Sequence, residues 1–153
     1  MTTPSARLRE LGIELPAVAS PAGAYIPARR SGTLVFTSGQ LPIVDGTMQA
    51  TGKVGAEVDV DRARELTRMC ALNALAAVDA LVGLDSVTGI VKVVGFVASA
   101  PGFTDQPAVV NGASEVFAEV FGEAGAHARS AVGVAELPKN APVEVEIVVE
   151  VAG

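Results

Sequence analysis

Arg129 and Glu144 are the residues of this chain best suited by type and spacing to do chemistry. Arg129 opens Ala128-Arg129-Ser130-Ala131-Val132-Gly133-Val134, and Glu144 stands near the start of Pro142-Val143-Glu144-Val145-Glu146-Ile147-Val148-Val149. A guanidinium can clamp a carboxylate or phosphate through two parallel hydrogen bonds, and a carboxylate can take up and return protons. The pair would suit a small-molecule site.

Each residue also has a plainer reading. In the last strand Val143, Val145, Ile147, Val149 and Val151 alternate with Glu144, Glu146, Val148 and Glu150, so the three glutamates could form a solvated face. Arg129 shares a strand face with Ala131, Gly133 and Ala135, whose small size leaves room for a ligand or for close packing with another subunit. If the two segments were adjacent antiparallel strands, Arg129 and Glu144 would come within reach of each other.

Other candidates are weaker on residue type alone. Thr37-Ser38-Gly39-Gln40 ends a strand with hydroxyls and a glycine, offering backbone N–H groups that a ligand can approach; ordinary strand-end turns share this make-up. Asn111 interrupts the apolar face of a helix, where a buried amide needs a partner from either a loop or a ligand. His127, the only histidine, follows Gly125-Ala126 and reads as a solvent-exposed loop residue. Cys70 reads as a small core residue rather than a nucleophile. The sequence has no phosphate-binding loop, dinucleotide fingerprint, Ser-His-Asp arrangement or metal-ligand spacing, so neither cofactor nor metal is expected.

These residues must be positioned by one globular domain. The chain has 153 residues, half of them hydrophobic, with few aromatics and no Trp, which calls for a core of small side chains packed between helix and sheet. Residues 1–22 read as an N-terminal extension with a helical turn or two stopping at Pro16, and 23–153 as a single domain. The formal net charge of −6 argues against nucleic acid as a partner. A lone cysteine, no signal-peptide pattern and no membrane-length apolar run lead to the expectation of a soluble cytoplasmic protein without a membrane partner.

Residues 25–29 and 33–38 are expected to form a hairpin turning at Arg30-Ser31-Gly32, followed by a loop with a short strand near 47–50. Asp59 can cap a helix over 60–81, with Ala63, Leu66, Cys70, Ala74, Ala77 and Leu81 on one face and Gly83 at its stop. The second half of that helix is apolar almost all round, which an oligomer would explain. A β-branched run over 88–98 should be an interior strand. A helix over 106–121, capped by Thr104 or Asp105, and strands over 127–137 and 143–151 complete an α+β fold: one mixed sheet with both helices on one face.

Gly23-Ala24-Tyr25, Leu34-Val35-Phe36-Thr37-Ser38-Gly39-Gln40-Leu41-Pro42, Val110-Asn111, Glu115-Val116-Phe117, Ala128-Arg129-Ser130, Leu137-Pro138-Lys139 and Val143-Glu144-Val145 resemble the Rid family. These are the reactive intermediate imine deaminases, also called YjgF-like or L-PSP endoribonuclease-like proteins, and the match runs in order from about Gly23 to Val149. The resemblance implies a chorismate-mutase-like fold assembled as a homotrimer with ligand clefts between subunits. It implies that Arg129 binds the carboxylate of a 2-imino or 2-enamino acid, and that Glu144 positions or activates the attacking water, giving a 2-oxo acid and ammonia. A nearby Arg129 would favour the ionised form of Glu144. Tyr25, Ser38, Gly39 and Asn111 match further substrate-binding positions of the cleft. Ala131 stands where many of these deaminases carry cysteine, and His127 replaces a usual proline. Two alternative functions are a noncatalytic trimeric binder of a small carboxylate metabolite and an endoribonuclease, the latter opposed by the net charge and the lack of a basic aromatic groove.

Overall fold

A computed structural model describes residues 2–153. From the N-terminus its main elements are α1 (Pro4–Leu11), β1 (Ala28–Ser31), β2 (Leu34–Thr37), two short strands β3 (Ile43–Val44) and β4 (Thr47–Met48), α2 (Val60–Val82), β5 (Val87–Ala98), α3 (Gln106–Phe121), β6 (Ala128–Val134) and β7 (Val143–Val151). The outcome is an α+β fold with a mixed sheet and three helices.

Local chemistry accounts for most boundaries. The Asp59 carboxylate accepts the N–H of Arg62 at 2.8 Å, satisfying one of the orphan donors at the start of α2, and Gly83 ends that helix at φ 78°. Ala63, Leu66, Cys70, Ala74 and Ala77 are buried as the spacing requires, but Leu81, in the last turn, is 46% exposed. α3 starts at Gln106 with Pro107 in its first turn; Asp105, one of the two expected caps, occupies the cap position, and its side chain makes no capping hydrogen bond. α1 ends at Gly12 in the left-handed region rather than at Pro16. Its Leu8 enters the core, and the Asp85 carboxylate accepts from Ser5 N–H at 2.8 Å and Ser5 Oγ at 2.6 Å.

The main sheet runs β1-β2-β7-β5-β6. β1 and β2 form the expected hairpin, with Gly32 at φ 62° in its turn. β5 is paired on both sides, antiparallel to β7 and parallel to β6. Parallel pairing follows from chain order: α3 lies between β5 and β6, and a strand that returns through a helix lies parallel to its predecessor. The expectation that the Arg129 and Glu144 strands are neighbours is therefore corrected, since β5 separates them.

One face of this sheet is dry. α2 packs on β7 and α3 on β5 and β6, burying Val93, Val97, Val145, Ile147 and Val149 completely or nearly so. Among the described residues no helix covers the other face. It carries Phe36, Val94, Phe96, Val132 and Val148, of which Phe36 and Val132 are 44% and 43% exposed. Among the described residues, no helix is long and apolar enough to cross a membrane.

Candidate functional site

Strand register decides where Arg129 and Glu144 point. Arg129 pairs with Val93, which also pairs with Ile147, so Arg129 shares the helix-covered face with these buried residues. Glu144 is an odd number of positions from Ile147 and therefore lies on the open face. Within one chain the two charges stand on opposite sides of the sheet.

The Arg129 half is built beneath α3. Its Nη1 donates to Asn111 Oδ1 at 2.8 Å and to Ser114 Oγ at 3.2 Å, while Nη2 donates to the Pro107 carbonyl at 3.4 Å. Three of the five guanidinium N–H donors are thereby engaged, and all three acceptors are neutral. None of the ion pairs among the described residues includes Arg129. The result is an oriented cation with N–H capacity left for an incoming anion.

Asn111 is thus a partner of Arg129 rather than of a neighbouring loop. Sequence reading missed Ser114, although it is three residues beyond Asn111 and so lies on the same stripe of α3. It also misplaced His127, which is half-buried instead of being exposed on a loop. Its Nε2 lies 2.8 Å from Ser114 Oγ, its Nδ1 lies 2.6 Å from the Gly125 carbonyl, and Phe117 meets the ring edge-on at 5.7 Å.

The Glu144 half gathers Tyr25, Ser38 and Gly39. Gln40 N–H donates to the Val145 carbonyl at 2.8 Å and Val145 N–H donates back at 3.0 Å, which extends the β2–β7 ladder and sets Gly39 against the Glu144 side chain. A Cβ on Gly39 would collide with the Glu144 carboxylate, so the close approach needs glycine there. Ser38 Oγ donates to the Ile26 carbonyl at 2.6 Å and Ser38 N–H to the Pro27 carbonyl at 2.8 Å, tying the 25–27 segment to the strand end. Ser38 thereby braces the segment that carries Tyr25. Tyr25, half-exposed, accepts the Ala22 N–H through its phenol oxygen at 3.1 Å.

Tyr25, Gly39, Leu41, Lys139 and Glu144 line a cavity of about 160 Å³ roofed by residues 19–22. Its walls are largely apolar, with the carboxylate at one side. Burial pushes the Glu144 carboxyl above its ordinary pKa, and the like charge of Glu146 pushes it further the same way. Within one chain Arg129, on the other face of the sheet, is not among the causes of this shift. Burial, reinforced by the Glu144 charge, also drives the Cys70 thiol well upward, in keeping with a core role. Among the described residues no cluster of His, Cys, Asp or Glu could hold a metal ion.

One half can hold an anion and the other can exchange a proton with water in a small apolar cavity. Neither is a complete reaction site alone.

Residues 5–151 match a family model described as "YjgF/chorismate_mutase-like, putative endoribonuclease". The chain is 46% identical over 148 residues to Protein TCP17 of Trypanosoma cruzi, covering 95% of this chain and 92% of that protein. It is 34% identical over 149 residues to a 2-iminobutanoate/2-iminopropanoate deaminase of Dermatophagoides farinae, covering 90% and 93%. A crystal structure of an Agrobacterium tumefaciens protein of unknown function superposes with a TM-score of 0.88 at 45% identity, covering 97% of this chain and 92% of that one. Escherichia coli TdcF, solved with serine bound, superposes at 0.58 with 30% identity, covering 90% and 94%.

Proposed function

This chain belongs to the YjgF/chorismate mutase-like (Rid) family, and from that premise we propose that it hydrolyses reactive 2-imino and 2-enamino acids to 2-oxo acids and ammonia. The observation that carries the reading is the Arg129 guanidinium, fixed by neutral acceptors on α3 and paired with no carboxylate of its own. Such a group is suited to the carboxylate of a small acid.

The chemistry asks little more of the protein. A protonated imine is already electrophilic at C2, so holding its carboxylate and ordering one water supplies much of the needed acceleration. Glu144 serves as the base: it takes a proton as the water oxygen bonds to C2, then returns it to the nitrogen of the tetrahedral adduct. The C–N bond breaks, ammonia leaves, and the C2 hydroxyl gives its proton to Glu144, which passes it to the departing ammonia, leaving the 2-oxo acid and ammonium. A proton affinity raised above that of an ordinary glutamate suits Glu144 to this give-and-take. No cofactor or metal enters the scheme, and Ala131 leaves it intact.

Because Arg129 and Glu144 occupy opposite faces of one sheet, both can reach one substrate only if they come from different chains. The uncovered face with Phe36, Val94, Phe96, Val132 and Val148 supplies a reason for association, since an apolar patch of this kind is normally buried against a partner. A homotrimer with three intersubunit clefts is the assembly we propose, with Tyr25, Ser38, Gly39 and Glu144 on one wall and Asn111 and Arg129 on the other. The apolar cavity favours substrates with short aliphatic side chains.

A second reading is a trimer that binds a small carboxylate without turnover; it is favoured by the relative solved with serine bound. Hydrolysis of 2-iminobutanoate and 2-iminopropanoate by the unaltered protein, Arg129→Ala and Glu144→Gln separates the two. The deaminase reading requires turnover that both variants lose. No rate above background with carboxylate binding intact would leave the binder.

A further inference from the structure

We propose that Ser114 and His127 form a directional hydrogen-bond relay that positions Arg129 for its ligand carboxylate. The inference rests on the reading of Arg129 as the carboxylate clamp and assigns two positioning residues to it.

Direction follows from the end of the chain of bonds. The Gly125 carbonyl can only accept, so His127 Nδ1, at 2.6 Å, must carry a proton. In the neutral ring Nε2 is then an acceptor, and its partner at 2.8 Å, Ser114 Oγ, must donate to it. With its hydrogen turned toward His127, the serine presents lone pairs to Arg129 Nη1 at 3.2 Å. Asn111 Oδ1 takes the other Nη1 hydrogen at 2.8 Å. Both N–H groups of Nη1 are thus spoken for, and the guanidinium plane cannot turn without breaking one of these bonds.

With the imidazole in its neutral form no member of the relay carries a charge, which is its chemical advantage. An aspartate beside Arg129 would orient it equally well but would compete with the substrate carboxylate for the same charge. A serine whose rotor is locked by a histidine fixes the guanidinium and leaves its charge uncompensated. The Phe117 ring, edge-on at 5.7 Å, and the Gly125 carbonyl keep the imidazole in place.

Binding of 2-oxobutanoate as the probe, measured by titration calorimetry, and steady-state imine hydrolysis test this together. His127→Leu and Ser114→Ala should each weaken binding about fivefold, the worth of roughly one hydrogen bond, raising KM with kcat little changed. The double variant should lose no more than either single one, and His127→Gln, which keeps an acceptor at similar reach, should restore affinity. Folded His127→Leu that binds like the unaltered protein would overturn the relay. Because the chain has one histidine, its imidazole ¹⁵N signals are unique and need no variant. The relay requires a protonated Nδ1 and an Nε2 signal that moves on 2-oxobutanoate binding; a protonated Nε2 in the neutral ring would also overturn it. Tight 2-oxobutanoate binding without imine hydrolysis would sink the deaminase reading while leaving the relay standing. Hydrolysis indifferent to His127 and Ser114 would do the reverse.

Discussion

Glu144 presses its carboxylate into the space that a side chain on Gly39 would fill. The contact joins the end of β2 to the start of β7, where Gln40 and Val145 exchange backbone hydrogen bonds of 2.8 and 3.0 Å. Gly39→Ala would push a flexible carboxylate aside without disturbing buried backbone. We expect imine hydrolysis to fall at least about tenfold, since an ångström of misplacement is costly for a proton-transfer group, while the thermal midpoint shifts by only about 2 °C. Paired rate and melting measurements check this; a large loss of stability with normal activity per folded molecule would contradict it.

Proton affinity at Glu144 has two readouts. Its folded pKa is raised, first by burial and second by Glu146, so the stability it contributes is fully present below the ordinary glutamate value of about 4.3 and is lost as pH rises through the folded value. Glu144→Gln should therefore melt about 1–3 °C higher than the unaltered protein at pH 7, and the difference should vanish below about pH 4. Hydrolysis needs the ionised base, so its acid limb should lie above about 4.3 and move to lower pH in Glu146→Gln. An acid limb unmoved by Glu146→Gln would detach that limb from Glu144.

The helices were legible because their signals are local. Asp59, Gly83 and Pro107 mark ends by their own chemistry, and 3.6-residue spacing places Leu66 and Cys70 inside. Strand order is not local, and assuming that consecutive strands are neighbours put Arg129 beside Glu144. The corrective signal was present in α3, since a helix between two strands favours parallel pairing and pushes β7 to the other side of β5. Asn111 and Arg129 stand out as an amide and a charge where packing requires neither, whereas the roles of Ser114 and His127 stay hidden because serine and histidine are unremarkable until Ser114 is seen to link His127 to Arg129. The Gly39 contact was equally silent, for glycine at a strand end has many causes.

Packing of α2 on α3 depends on a second missing side chain. A Cβ on Gly112 would strike the Arg64 backbone carbonyl and Thr67 Oγ1, and Thr67 is already committed to the Val109 carbonyl at 2.7 Å. A backbone carbonyl inside a helix cannot step aside as a glutamate side chain can. Gly112→Ala is expected to destabilise by about 1–3 kcal/mol through forced separation of the helices, despite the better helix propensity of alanine. Urea unfolding at neutral pH measures it, and a gain in stability would show that the helices separate freely.

Opposite-face placement of Arg129 and Glu144 yields the most direct test of the assembly. If each site takes Arg129 from one chain and Glu144 from its neighbour, Arg129→Ala and Glu144→Gln subunits should complement each other when mixed. An Arg129→Ala subunit still supplies Glu144, and a Glu144→Gln subunit still supplies Arg129. After unfolding and refolding together at equal amounts, a given interface receives one intact residue from each side with a chance of one half apiece. Random assembly of a cyclic trimer then restores about a quarter of the unaltered activity from two inactive parents. Sites built within one chain would restore none, because every chain in the mixture lacks one of the two residues. Refolding each variant alone gives the baseline, and sizing of the mixture verifies that trimers re-form. Activity at baseline in properly reassembled trimers would rule out the shared site and require Arg129 and Glu144 to act apart.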